Sequence, residues 1–288
     1  MKSGTTYLRA LLNAHPSIFM CEPKEPSHFV APDQLKTLFP WAWRQGYWKS
    51  EARYLELFRT AGAATILGEA SVFYTHMPSA SGVAERISRF NPDARLIYVM
   101  RDPIERTISH YWHNVMHFGE HRSLSDAIIR DPRYTDVSDY AMQLDSYFAF
   151  FDREQIKVLT FEELIEHPDR TVNSIFTWLK LDGFAAASSF QPQNVTPETI
   201  SGSIWLWRRL RRRPGPLRDA IDRLPASVRR FGARLVTREV SPASVDRSGI
   251  VEYLRPLQQR RTEALTNLIG RDFPEWTTLY PPARGCTR

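Results

Sequence analysis

Three stretches rich in β-branched and aromatic residues, at 65–67, 95–100 and 155–161, are each followed by a segment whose apolar residues recur at three- and four-residue spacing. That alternation leaves few architectures. Consecutive strands joined through helices form a mostly parallel sheet, because parallel pairing needs a long crossover, and the crossover helices cover both faces. The helical segments fall at 79–90, 103–118, 140–151 and 171–179, several with proline at or near the start, where its missing N–H costs nothing. A chain of 288 residues, 42% of them hydrophobic, can bury such a core as one domain over 1–288, and its composition excludes collagen, wholesale disorder and a disulfide-stapled miniprotein. In open α/β sheets ligands bind beyond the carboxyl ends of the strands. Chemistry is therefore expected in the residues that follow each strand.

Charge is spread unevenly. The formal net charge of +6 divides into −4 over residues 1–200 and +10 over 201–288. Much of the excess lies at 200–248, rich in Arg, Pro and Gly, with Arg208, Arg209, Arg211, Arg212 and Arg213 nearly contiguous. This stretch reads as a basic, irregular excursion rather than a second core. It either meets an anionic partner or is a solvated face. The reading carried forward is a peripheral membrane contact through 208–234, with no nucleic-acid partner. Residues 249–270 then read as one amphipathic helix with Gly270 as its C-cap. No run approaches 18 consecutive apolar residues, and the first twenty residues do not have the form of a signal peptide. The two cysteines, Cys21 and Cys286, make no disulfide framework and suit a reducing, cytoplasmic setting.

Two segments carry the chemistry. Lys2-Ser3-Gly4-Thr5-Thr6 runs into a helical stretch that ends before Pro16. A Gly-bearing turn that opens a helix can cradle an anion: backbone N–H groups and the helix dipole point at it, Lys2 adds a full charge, and Thr5 and Thr6 add hydroxyls. An ordinary helix start is the alternative. The second segment, Arg101-Asp102-Pro103 through Tyr111, follows the 95–100 strand. Pro103 starts a helix that puts Ser109 almost two turns in, roughly on the face of Asp102, so a guanidinium and a hydroxyl can converge on one phosphate. An Arg101–Asp102 salt bridge with a buried serine is the alternative there. His110, His113, His117 and His121 recur at spacings that place at least three on one side of a helix, as a zinc or copper site requires. No carboxylate or cysteine completes a recognisable set, so no metal is expected, and His113 and His117 are expected to line an acceptor cleft or meet solvent. Trp41, Trp43, Trp48, Trp205 and Trp207 read as core, with acceptor contact an open alternative for 41–48.

The order KSGTTYL, KEPSHF at 24–29, GEASVFY at 68–74 and RDPIERTISHYW at 101–112 resembles the sulfotransferase superfamily, and is similar to its bacterial branch related to the heparan-sulfate-type enzymes. The resemblance extends to VLTFEELIEHP at 158–168 and GRDFPEW at 270–276. It implies a P-loop-like three-layer sandwich with a central parallel sheet and a co-substrate, 3′-phosphoadenosine 5′-phosphosulfate (PAPS). It implies that Lys2, Ser3, Gly4, Thr5 and Thr6 hold the 5′-phosphosulfate, with Lys2 stabilising the leaving charge. Arg101 and Ser109 would hold the 3′-phosphate, and Glu25 would act as the general base. The implied acceptor is a hydroxyl or amine of a carbohydrate, lipid or small metabolite, and no metal is needed.

Three departures accompany the resemblance. Met1 stands where the family has a proline preceded by a central strand, so a sheet lacking its first strand, and a fragment or misassigned start, are expected. Glu69-Ala70-Ser71 replaces a glutamate-lysine-Ser/Thr motif, leaving Glu69 and Ser71 as cleft contacts. The loop that closes over adenosine should follow Asn194, with Gly202 and Ser203 to Arg208 as its candidates. Two further readings are a phosphate-loop kinase, disfavoured because no Gly-Lys pair occurs, and an inactive member that binds anions or membrane through its basic third.

Overall fold

A computed structural model of the chain describes residues 2–184, 200–203, 237–240 and 242–282. In chain order its main elements are α1 (Thr5–Asn13), β1 (Ile18–Met20), α2 (Pro32–Leu38), α3 (Pro40–Gln45), α4 (Glu51–Leu55), β2 (Ile66–Gly68), α5 (Val83–Phe90), β3 (Leu96–Met100) and α6 (Pro103–His117). There follow α7 (Leu124–Arg130), α8 (Arg133–Asp136), α9 (Tyr140–Phe148), β4 (Ile156–Thr160), α10 (Phe161–Glu166), α11 (Pro168–Trp178), β5 (Ile200–Ser203), β6 (Thr237–Val240) and α12 (Ser248–Ile269). Helix starts follow local chemistry. Proline occupies the first turn of α2, α3, α6 and α11, Thr160 and Glu163 form a reciprocal capping box on α10, and Gly270 closes α12 at φ 69°.

Strands β1 and β2 pair in parallel, Ile18 opposite Ile66, and β3 and β4 pair in parallel from Leu96 opposite Ile156 to Met100 opposite Thr160. The expected central sheet is therefore present as two parallel pairs, and no described strand hydrogen-bonds to both. Packing joins what hydrogen bonds do not. Ile18 and Met20 of β1, Val99 of β3 and Leu159 of β4 share one buried cluster with Leu8 and Leu11 of α1 and with Val172, Ile175 and Phe176 of α11. On the opposite face Leu96, Tyr98, Met100, Ile156 and Val158 pack with α5, α6, α9 and α12. Alternate residues of β3 and β4 thus feed two different cores, which is the three-layer arrangement.

Two expectations are corrected. The 200–248 stretch is not wholly irregular, since β5 and β6 pair antiparallel from Ile200 opposite Val240 to Ser203 opposite Thr237. The short β1 went unrecognised, while β2, equally short, was read at 65–67 from Thr65 and Ile66, β-branched neighbours that β1 lacks. The arginine run at 208–234, Trp205, Trp207 and the remainder of the proposed closing loop beyond Ser203 lie outside the described residues.

Candidate active site

The loop before α1 has the shape an anion cradle needs. Lys2 and Gly4 both adopt left-handed backbone, at φ 66° and 78°. Gly4 is the N-cap of α1 and provides no side-chain cap, so the first-turn N–H groups keep free valences. Glycine is required here: a Cβ would meet the Phe161 ring at 2.7 Å on top of the positive φ. Ser3 is buried beneath the loop.

Three cations converge on this loop. Burial, then the Arg101 and Lys24 charges, hold the Lys2 ammonium below its ordinary range. Arg101 emerges at the end of β3, lies 4.9 Å over the Phe161 ring and reaches the Lys2 carbonyl with Nη1 at 3.5 Å. Lys24 donates to the hydroxyls of Thr5 and Thr6 at 3.2 and 3.1 Å and pairs with Glu25 Oε1 at 2.9 Å. Its position beside Glu25 in the lysine-glutamate-proline segment was the only sequence signal for it. Like charges this close are costly unless an anion compensates them.

Glu25 stands at the rim of the same cradle. Its Oε2 accepts the Val72 N–H at 2.6 Å, its own N–H donates to the Ala70 carbonyl at 3.1 Å, and its backbone is left-handed at φ 68°. The carboxylate is thus delivered beside the loop by the 69–74 turn. Ser109 is buried on α6, one turn before His113. The Asp102 carboxylate does not pair with Arg101. Its Oδ1 caps Ile104 and Glu105, and its Oδ2 accepts the N–H groups of Thr278 and Leu279, each at 3.0 Å.

The four histidines do not act as one set. His110 turns into the core against Arg106 and the Tyr134 ring, His113 and His117 lie with ring centroids 4.6 Å apart, and His121 falls beyond the end of α6. Burial first, and then the Lys2 charge, push the His113 imidazole down to about 4, which sets His113 within electrostatic reach of the cradle. Sequence spacing grouped His113 with its neighbours on α6 and did not connect it to a loop more than a hundred residues away.

Beyond α6 opens a cavity of about 420 Å³ lined by Phe39, Trp41, Phe73, His76, Phe118 and Arg122, among others. Its rim charges are paired, Arg122 with Glu120 at 2.5 Å and Arg133 with Asp131 at 2.7 Å. Trp41 therefore does line a cavity, whereas Trp43 and Trp48 stack on each other.

Glu69 and Ser71, expected as cleft contacts, turn instead toward the 25–29 segment: Ser71 Oγ donates to Glu69 Oε2 and accepts the Ser27 N–H, both at 3.0 Å.

Residues 1–185 match the Sulfotransferase family. Over 123 residues the chain is 29% identical to the membrane-associated sulfotransferase kil1 of Dictyostelium discoideum, a match covering 43% of this chain and 23% of that protein. Over 204 residues it is 23% identical to the bifunctional heparan sulfate N-deacetylase/N-sulfotransferase 1 of Caenorhabditis briggsae, covering 64% of this chain and 22% of that protein. The match thus spans less than a quarter of the length of either relative. The crystal structure of a sulfotransferase from Alicyclobacillus acidocaldarius superposes with a TM-score of 0.64 at 24% identity, covering 95% of this chain and 94% of that one, and so shares its fold. A family match that begins at the cationic loop and runs through β4 and α11 establishes that this chain belongs to the Sulfotransferase family.

Proposed function

We propose that the chain transfers a sulfuryl group from PAPS to a hydroxyl or amine of an acceptor. The observation that carries this reading is the convergence of Lys2, Lys24 and Arg101 on a left-handed loop at a helix N-terminus with the Glu25 carboxylate at its rim. The residues fit a nucleotide with anionic groups at both its 5′ and 3′ positions: a glycine whose Cβ position is closed by Phe161, uncapped N–H groups, two threonine hydroxyls and three cations whose mutual repulsion an anion relieves. When bound, the donor supplies the sulfuryl group and departs as adenosine 3′,5′-bisphosphate.

The chain positions reactants and stabilises charge, as in phosphoryl transfer. Lys2 and the first-turn N–H groups of α1 hold the phosphosulfate, and Lys2 stays beside the oxygen that keeps the electron pair when its bond to sulfur breaks. Arg101 and Ser109 hold the 3′-phosphate. Glu25 takes the acceptor's proton as the new oxygen–sulfur or nitrogen–sulfur bond forms. Lys24 links base and cradle, since it contacts Glu25, Thr5 and Thr6 at once. The relatives named for heparan sulfate N-sulfotransfer favour a carbohydrate acceptor. Trp41 and Phe118, which line the cavity beyond α6, offer ring faces for a sugar.

A thermal-shift titration with adenosine 3′,5′-bisphosphate tests the donor, with AMP and ATP as controls. A ligand at a hundredfold excess over its Kd stabilises the native state by roughly 2.7 kcal/mol, so a shift for the bisphosphate alone is expected. Glu25→Gln should keep that shift and lose turnover. Equal shifts for AMP and the bisphosphate would remove the 3′-phosphate site from the reading.

A further inference from the structure

Glu69 has no place in the transfer described above, yet its carboxylate organises the segment that carries the base. Tyr74 Oη donates to Glu69 Oε1 at 2.6 Å, and Ser71 Oγ donates to Glu69 Oε2 at 3.0 Å. Each hydroxyl then accepts a backbone N–H from the far strand of chain: Ser71 from Ser27 at 3.0 Å, Tyr74 from Phe29 at 3.4 Å. Between these anchors and Glu25 the backbone is held in an unfavourable state, with Glu25 at φ 68° and Ser27 at φ 55°, and Ser27 Oγ closes the turn on the Glu25 carbonyl at 3.1 Å. Left-handed non-glycine residues persist only where their surroundings over-determine them. Here the surroundings are two hydroxyl relays that share one acceptor.

We propose that Glu69 is a positioning residue for Glu25: through the Ser71 and Tyr74 hydroxyls its carboxylate fixes the left-handed turn that aims the base at the acceptor. The inference rests on the reading of Glu25 as base. Only the ionised carboxylate accepts from both hydroxyls without itself donating, so protonation breaks the symmetry of the two relays. Burial pushes this carboxyl up to about 7, against the pull of hydrogen bonds from Tyr74, Ser71 and Tyr54 and with a further push from Glu25. The other titratable groups that feel it are Cys21 after β1, Tyr54 of α4 and Tyr147 of α9, and each is neutral near pH 7 because burial raises it. The folded-state value lies above the ordinary one, so the native state holds the extra proton. Stability therefore falls as pH rises from about 4.5 through about 7, while the fully relayed form accumulates. Function and stability pull in opposite directions at this residue.

That opposition supplies the test. Glu69→Gln, a neutral isostere, is expected to melt no lower than wild type at pH 8, to bind adenosine 3′,5′-bisphosphate as wild type does, and yet to turn over about tenfold more slowly with little change in acceptor KM. The acid limb of the wild-type rate near pH 7 should vanish in the variant. Amide hydrogen exchange at pH 8 should quicken in 24–30 and stay unchanged in α6 and α9. Tyr74→Phe, which keeps the ring and removes one relay, should give the same pattern in weaker form. A Glu69→Gln variant with wild-type exchange at 24–30 and an unmoved pH profile would overturn the proposal, as would a parallel loss of stability and rate. Failure of the wild-type protein to bind the bisphosphate would instead sink the donor reading, and the exchange at 24–30 would still decide whether Glu69 holds the segment.

Discussion

His113 shows how a residue can come under the charge of a loop that its sequence neighbours do not announce. Its imidazole is held down to about 4 by burial and by the Lys2 charge, so near neutral pH it is uncharged. An anion bound at the cradle offsets the Lys2 part of that shift, while the larger part due to burial remains, so the imidazole's pKa rises on binding. Binding is then coupled to proton uptake, and the His113 contribution to bisphosphate affinity should strengthen as pH falls toward about 4. Calorimetric titration at pH 5.5 in buffers of different ionisation enthalpy measures that uptake, and His113→Gln should abolish the His113 share of it. Identical uptake in the two proteins would remove His113 from the site. Lys2, Gly4 and Arg101 were legible in the sequence because each sits in a short motif directly after a strand or before a helix, whereas Glu25 was reached only through the family resemblance of its lysine-glutamate-proline segment. His113, Lys24 and Glu69 were not, because their roles arise from contacts across the fold.

Among the elements, α6 does most to position the site, and one side chain fixes both its start and its neighbour. Asp102 caps α6 with one oxygen and holds the Thr278 and Leu279 N–H groups with the other, although burial raises its pKa. Asp102→Ala removes the cap and leaves buried donors unpaired, for an expected loss of about 2–4 kcal/mol. Urea unfolding measures it, and a loss below about 0.5 kcal/mol, the usual scale of a surface change, would show that the two contacts are not maintained together. The helix was legible from Pro103 and its apolar spacing, and its observed end at His117 falls one residue short of the expected boundary. The double duty of Asp102 was not legible, since Thr278 and Leu279 lie some 175 residues on and only the tertiary fold brings them near. β3 and β4 were readable at five residues each and β2 from its β-branched pair Thr65-Ile66, whereas β1, with a single β-branched residue, was not.

At the scale of the whole molecule, the family match ends at residue 185, but the core does not. Ile250, Leu254 and Leu265 of α12, and then Phe273, Trp276 and Leu279, are buried in the same cluster as Met100, Ile104 and Leu144. Arg261 ties α12 to Asp136 and Asp139 at 2.9 and 3.0 Å, and Thr278 Oγ1 reaches Glu105 at 2.8 Å. The amphipathic pattern at 249–270 gave the helix; the charge asymmetry of the C-terminal third gave no hint that its last turns clamp the residue next to Arg101. If this clamp is integral, the described parts unfold as one unit. Trp276→Ala vacates a fully buried site, and such truncations cost roughly 3–5 kcal/mol. The lower end is expected here, because among the described residues the indole N–H of Trp276 has no hydrogen-bond partner and its removal relieves that penalty. Because Leu279 and Thr278 hold Asp102, the substitution should also weaken bisphosphate binding, with no contact between Trp276 and the ligand required. Far-ultraviolet circular dichroism and bisphosphate binding, followed through one denaturant titration, should be lost at the same midpoint in wild type and move together in the variant. Separate midpoints would show that α12 and the segment after it form a unit apart from the site.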